Sequence, residues 1–169
     1  MINVDSDKLQ KIYIAYFGRP ADPSGLSYWL SYTKSLTLRG ISNQLYMQDE
    51  YTNFIGDKSN EAQINQLYLN LFNRNVDVDS LNYWLKIVDN DNCLVSDIVY
   101  QLVDSQNQSN LINLALKVED INVFTNKISA AKLFTNQISK SIFLINLYQP
   151  DSISPWVPGN SFVEVSDFL

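Results

Sequence analysis

The chain has no histidine and a single cysteine among its 169 residues, with only five glycines and five prolines. Each shortage excludes some chemistry. Without histidine, the usual zinc and haem ligand sets, His-based acid/base pairs and Ser-His-Asp triads cannot be assembled. Cys93 alone forbids an intramolecular disulfide. Positive charge is also scarce: 12 Lys+Arg stand against 18 Asp+Glu, for a net charge of −6. That balance excludes a clustered basic face for neutralising phosphates, so no nucleic-acid partner is expected. Long hydrophobic runs are missing too. The longest apolar stretch, Ile142 to Leu147, is broken by Asn146 and falls far short of the ~20 residues that span a bilayer. Residues 1–8 show no basic segment, apolar core or small-residue cleavage site of a secretory leader. What the chain does have is 46% hydrophobic residues, including ten tyrosines and three tryptophans. A chain of this length can bury roughly 70% of the surface it exposes unfolded, so it needs no staples.

Internal self-similarity organises the sequence. Laying Leu9–Leu30 over Ile64–Leu85 without a gap pairs Tyr13 with Tyr68, Phe17 with Phe72, Arg19 with Arg74 and Asp22 with Asp77. Leu26 meets Leu81, and Tyr28-Trp29-Leu30 meets Tyr83-Trp84-Leu85. After a two-residue insertion Ile41 falls on Ile98 and Gln44-Leu45 on Gln101-Leu102. A unit of about fifty-five residues therefore occurs twice.

Each unit reads as three helices. Leu9, Ile12, Tyr13, Tyr16 and Phe17 follow the spacing of an amphipathic helix, with Ser6 as its expected N-cap and Gly18 as its stop. Asp22 then supplies a cap oxygen and Pro23 a first helical residue whose missing N–H costs nothing. The second helix is expected to turn Leu26, Trp29, Leu30 and Thr33 inward. Thr37 caps a third, carrying Leu38, Ile41, Leu45 and Tyr46. Residues 56–59 read as a linker, and Asn60 with Gln63 as a capping-box start for the second unit. There Asn73, which tolerates the left-handed conformation, replaces Gly18, and Asp77 takes the cap position. A third helix from about Leu94 to Asp104 closes the unit. Further apolar periodicity from Ile112 to Leu147 implies two or three more helices, or one long one. Pro150, Pro155, Pro158 and Gly159 exclude helix in the tail, where residues 162–165 read as extended. The expected fold is all-α: units at 1–56 and 57–107, a helical extension at 108–148 and an irregular tail at 149–169.

Chemistry-bearing motifs are few. Asp49-Glu50 and Glu119-Asp120 are adjacent and point apart on a helix, so neither makes a carboxylate dyad alone. Asp89 to Asn92 opens like a calcium loop, but Cys93, Leu94 and Tyr100 stand where an oxygen ligand, the glycine and the bidentate Glu belong. Cys93 without a basic partner reads as a packing residue. There is no nucleophile elbow and no phosphate loop, so neither an enzyme nor a cofactor or metal is expected.

The repeated corner has two readings. Arg19 and Arg74 could clamp an anion, with Asp22 and Asp77 on sugar hydroxyls. Alternatively, each Arg bonds the last carbonyls of one helix while the Asp caps the next. Trp29 and Trp84 share a stripe with the leucines and read as core; Tyr28 and Tyr83, one step around, read as rim residues able to stack on a sugar ring or a partner side chain. Gly25, Leu26 and Leu81 complete the structural motif.

The string from Tyr13 to Trp29, Tyr-Ile-Ala-Tyr-Phe-Gly-Arg-Pro-Ala-Asp-Pro-Ser-Gly-Leu-Ser-Tyr-Trp, resembles the signature of the DUF4214 family. Tyr68–Trp84 resembles a second copy that departs at Asn73, Asn75, Val78 and Ser80, and residues 123–135 are similar to a helix that follows such repeats. The resemblance covers about residues 8–137. It implies kinship in fold with phycobilisome linker domains and membership among bacterial surface-layer and type I-secreted proteins. It also implies anchoring to a surface polysaccharide, lipopolysaccharide or protein partner. The Gly-Gly-x-Gly-x-Asp calcium repeats of such proteins are absent, while residues 164–169 are similar to an uncleaved type I export signal. The resemblance thus points to leaderless export to the cell surface or medium. The alternatives are a cytoplasmic protein–protein scaffold and an enzyme working with carboxylates alone.

Overall fold

The computed structural model describes residues 4–90, 93–104 and 118–138. Helix α1 spans Ser6–Phe17, α2 Pro23–Tyr32, α3 Leu38–Tyr46 and α4 Asp49–Tyr51, which runs into a π-helical turn over Thr52–Gly56. Then come α5 (Asn60–Phe72), α6 (Val78–Asn90), α7 (Val95–Asp104) and α8 (Val118–Ile138). The fold is all-α, with no strand among the described residues. The expected tail at 149–169 and the export-like segment at 164–169 lie outside them, as does much of the extension.

Local chemistry sets the helix ends. Gly18 (φ 63°) and Asn73 (φ 57°) stop α1 and α5 in the left-handed region, and each N–H returns to the helix, to Ile14 O and Leu69 O. Thr37 Oγ1 caps α3 by accepting the Gly40 N–H at 3.1 Å. Two expected caps shift by one residue. Asp5, not Ser6, accepts the Lys8 N–H (2.9 Å), and Ser59, not Asn60, accepts the Ala62 N–H (3.3 Å). In each case the preceding residue also carries a short side-chain oxygen and takes the extended backbone a cap needs, which leaves Ser6 and Asn60 as first helical residues.

Helix α1 is the centre of the molecule rather than an amphipathic surface helix. It touches α2, α3, α4, α5, α7 and α8, and buries Ile14 and Ala15 as well as the expected Leu9, Ile12, Tyr13 and Tyr16. Even Gln10 is buried. Its side-chain carbonyl accepts the Ala21 N–H at 2.9 Å and its amide donates to Thr135 Oγ1 at 2.9 Å, while Thr135 donates to Ala21 O at 2.6 Å. A polar group survives there because each of these bonds replaces one to water. Helices α3 and α7 pack on each other, with Arg39 bonding Asp97 at 2.6 Å and the Ser42 hydroxyl donating to Ser96 O at 3.3 Å; that hydroxyl also lies 2.8 Å from the Tyr16 hydroxyl of α1. Residues from α1 to α8 therefore share one core.

Gln63 does not close the capping box. Its oxygen accepts from the Tyr46 and Tyr51 hydroxyls (3.3 and 3.1 Å), and its amide donates to Gly56 O and Lys58 O (3.0 and 2.8 Å). All its capacity thus goes into tying the 56–59 segment to α3, α4 and α5. Helix α2 also departs from expectation. Of the four residues expected inward, Trp29 is buried and Leu26 half-buried, but Leu30 is exposed and Thr33 ends the helix. The reason is that α2 packs chiefly on α1 and α8, and so offers only a narrow strip to the core.

Helix α8 lies against α1 and α5, where Lys127 is buried and donates to Asn70 O at 2.5 Å. Desolvation lowers its pKa to about 8, while the unfolded chain titrates near ~10.4. The native state thus binds fewer protons across that window, so stability rises from about pH 8 toward 10. Tyr13 works in the opposite sense. Burial pushes its pKa up to about 12, and above pH ~10 the unfolded tyrosine loses a proton that the native one keeps. Denaturant titrations from pH 7.5 to 11.5 should show stability passing through a maximum near pH 10. Lys127→Met should abolish the rising limb, on the order of 2 kcal/mol, and leave the fall.

Candidate functional site

The expected site residues gather at two corners, where α1 turns into α2 and where α5 turns into α6. At the first, Asp22 Oδ1 accepts the Gly25 N–H (2.7 Å) and the Ser24 hydroxyl (2.5 Å), with Pro23 opening the helix. Burial works to raise the Asp22 pKa, but the Ser24 and Gly25 hydrogen bonds and the Arg19 charge outweigh it and hold it below the ordinary value. Gly25 is needed for space: a Cβ there would lie 2.5 Å from the Tyr13 hydroxyl and 2.9 Å from Asp22 Oδ2. At the second corner Asp77 Oδ1 accepts the Ser80 N–H at 2.9 Å. That bond leads the effects that hold its carboxyl below the usual range.

The arginines point inward. Arg19, 6% exposed, spreads its Nε and Nη2 over the two Glu50 oxygens at 2.7 and 2.6 Å, and donates from Nη1 to Pro20 O. It stacks over Phe17 and Tyr13, 5.3 and 5.6 Å from the ring centres. Arg74 repeats the fork on Asp120, both bonds 2.7 Å, with Nη1 on Asn75 O and Asp77 Oδ2 and its carbon 5.1 Å from the Tyr68 ring. Hydrogen bonding to Asp120 raises the Arg74 pKa above its ordinary value. Planar forks of this kind suit a carboxylate better than any other internal partner. The anion-clamp expectation for Arg19 and Arg74 therefore meets two sites already filled by the chain's own acids. The two adjacent carboxylate pairs supply those acids, one member each.

Trp84 is fully buried and donates to the Tyr68 hydroxyl at 2.9 Å; Trp29 sits in the same relation to Tyr13. Leu26 and Leu81 pack half-buried against the core. Outside it, Tyr28 is 53% and Tyr83 43% exposed, and each ring meets its tryptophan neighbour edge-on, at 5.1 and 4.9 Å. Tyr28 also lies 4.9 Å from exposed Tyr32. On α6 the corresponding position is half-buried Ile87, so the two surfaces differ.

Two residues of the corner escaped the sequence reading. Gln10 Oε1 receives the Ala21 N–H, and Asn65 Oδ1 receives the Val76 N–H at 3.0 Å. The two bonds are equivalent, Gln10 lying fifty-five positions before Asn65 and Ala21 fifty-five before Val76, and a side-chain amide inside an apolar helix at both places was the available signal. Among the described residues no three acidic or cysteine side chains come together to hold a metal. Asp89 is exposed, Cys93 is half-buried, and residues 91–92 of the calcium-like loop lie outside the description. No described helix is long and apolar enough to cross a membrane.

Residues 42–112 match the family model described as "Domain of unknown function (DUF4214)". The matched stretch begins inside α3 and takes in α5, α6 and α7; the residues 13–29 that carry the resemblance most fully lie before it. Neither the curated proteins nor the solved structures yield a match to this chain. Over the segment that runs from α3 to beyond α7, the chain is similar to the DUF4214 family.

Proposed function

We propose that the protein is a non-enzymatic interaction module of a bacterial secreted or cell-surface protein, built of two tandem copies and anchoring to a surface glycan. The observation that carries this reading is the division of labour at the corners. Every charged member of the repeated motif is engaged within the protein, whereas Tyr28 and Tyr83 present their rings to solvent. Aromatic faces with a hydroxyl rim suit sugar rings, which have apolar C–H faces edged by hydroxyls. Export supports the same reading only through the family resemblance and the acidic, cysteine-poor composition.

The test is binding of the folded protein to a glycan array and to lipopolysaccharide-containing envelope fractions, alongside Tyr28→Ala/Tyr83→Ala. Binding that falls tenfold or more in the double variant supports the reading; no binding to any envelope fraction sinks it. A second reading, a protein–protein scaffold, is favoured by the lack of charge along α2. It predicts a stable crosslinked partner that persists after glycans are stripped.

A further inference from the structure

Helix α2 sets Tyr28 and Tyr32 four residues apart, so the two side chains leave the same face on successive turns. Both are exposed, and their rings meet with centres 4.9 Å apart and planes inclined by 52°. Trp29, itself buried, lies beside both, 5.1 Å from Tyr28 and 6.3 Å from Tyr32. The pair therefore rests against a fixed indole. The hydroxyls interact as well: Tyr28 holds its proton above the ordinary phenol range, chiefly because of its hydrogen bond with the Tyr32 hydroxyl.

Contact combined with access is specific to this pair. Tyr16, Tyr46 and Tyr51 also lie ring to ring, at 5.0 to 6.2 Å, but Tyr16 and Tyr51 are buried and their hydroxyls are held by Ser42 and Gln63. Tyr83 is exposed, yet its ring partner is Trp84, and Ile87 stands where α6 would need the second tyrosine.

We propose that Tyr28 and Tyr32 form a modification site at which hydrogen peroxide, acting through a haem peroxidase, couples the two rings into an intrachain dityrosine. Each phenol gives up one electron and its hydroxyl proton, leaving two phenoxyl radicals. Their unpaired electrons join as a bond between the ring carbons ortho to the oxygens. The hydrogens on those carbons pass to the oxygens through water, which restores both phenols. In all the pair loses two electrons and two protons, and these reduce one hydrogen peroxide to two waters. Coupling within the chain wins over coupling between chains, because so short a tether gives an effective concentration of order millimolar. The product staples the last turn of α2 and leaves the core untouched.

The experiment treats the full chain, at low micromolar concentration, with a haem peroxidase and limiting hydrogen peroxide, then recovers the monomer and maps it by mass spectrometry. The expected monomer shows dityrosine fluorescence and an α2 peptide lighter by two hydrogens that yields no fragments between residues 28 and 32. Tyr32→Phe, a change at an exposed ring, should lower the monomer's fluorescence tenfold or more, while Tyr83→Phe keeps it. A monomer without dityrosine, coupling only between chains, or wild-type fluorescence in Tyr32→Phe overturns the proposal. No glycan enters the reaction, so the outcome is independent of the anchoring test.

Discussion

Arg74→Ala should destabilise the protein by about 3 kcal/mol, the lower end for breaking a buried ion pair. Asp120 is only 2% exposed and receives both arms of the guanidinium, so removing the arginine takes the compensating positive charge from a carboxylate with little access to water. Arg74 keeps some solvent, which places the figure at the lower end. The reverse truncation is expected to be milder. Asp120→Ala leaves Arg74 with Asp77 Oδ2 at 3.2 Å, Asn75 O at 3.0 Å and partial hydration, a loss of about 1–2 kcal/mol. Chemical denaturation of both variants checks the order. If the two cost the same, burial of the acid does not decide the energetics of this corner.

Trp84→Ala is expected to cost about 3–5 kcal/mol, because deleting a buried indole leaves a cavity that its neighbours fill only in part. Trp84 lies among the largest fully buried side chains, and its N–H satisfies the Tyr68 hydroxyl. Trp84→Phe separates the two contributions: the ring volume is largely restored, while Tyr68 loses a donor in a buried place, at about 1–3 kcal/mol. Thermal melts of both variants provide the measurement. A near-neutral Trp84→Ala would mean that α6 is not seated on the core.

The parts of this arrangement that sequence made legible are those encoded within a few residues. Gly18 and Asn73 differ as letters but share the left-handed conformation, and Asp22 and Asp77 declare themselves as caps because a helix start follows at once. Partners far along the chain left no such trace. Glu50 lies 31 residues from Arg19 and Asp120 lies 46 from Arg74, and that spacing differs between the units, so the self-alignment that paired the arginines could not pair their acids. Leu30 shows the opposite error. Periodicity placed it on a buried stripe, but which stripe is buried depends on how many neighbours a helix has, and α2 has few. The matched family segment likewise falls across the second unit, although the fuller local string lies in the first.

The bonds from Gln10 to Thr135 and from Asp7 to Lys132 each join residues 125 positions apart. A ribosome releasing this chain from its N-terminus therefore exposes α1, the most enclosed helix of the finished molecule, long before α8 exists to seal it. The first segment cannot bury α1 alone, because the faces of α1 are divided between α2, α3 and α4 nearby and α5, α7 and α8 further along the chain. In the nascent chain α1 therefore stays incompletely covered until α8 has emerged, and over that interval it is open to holdase chaperones.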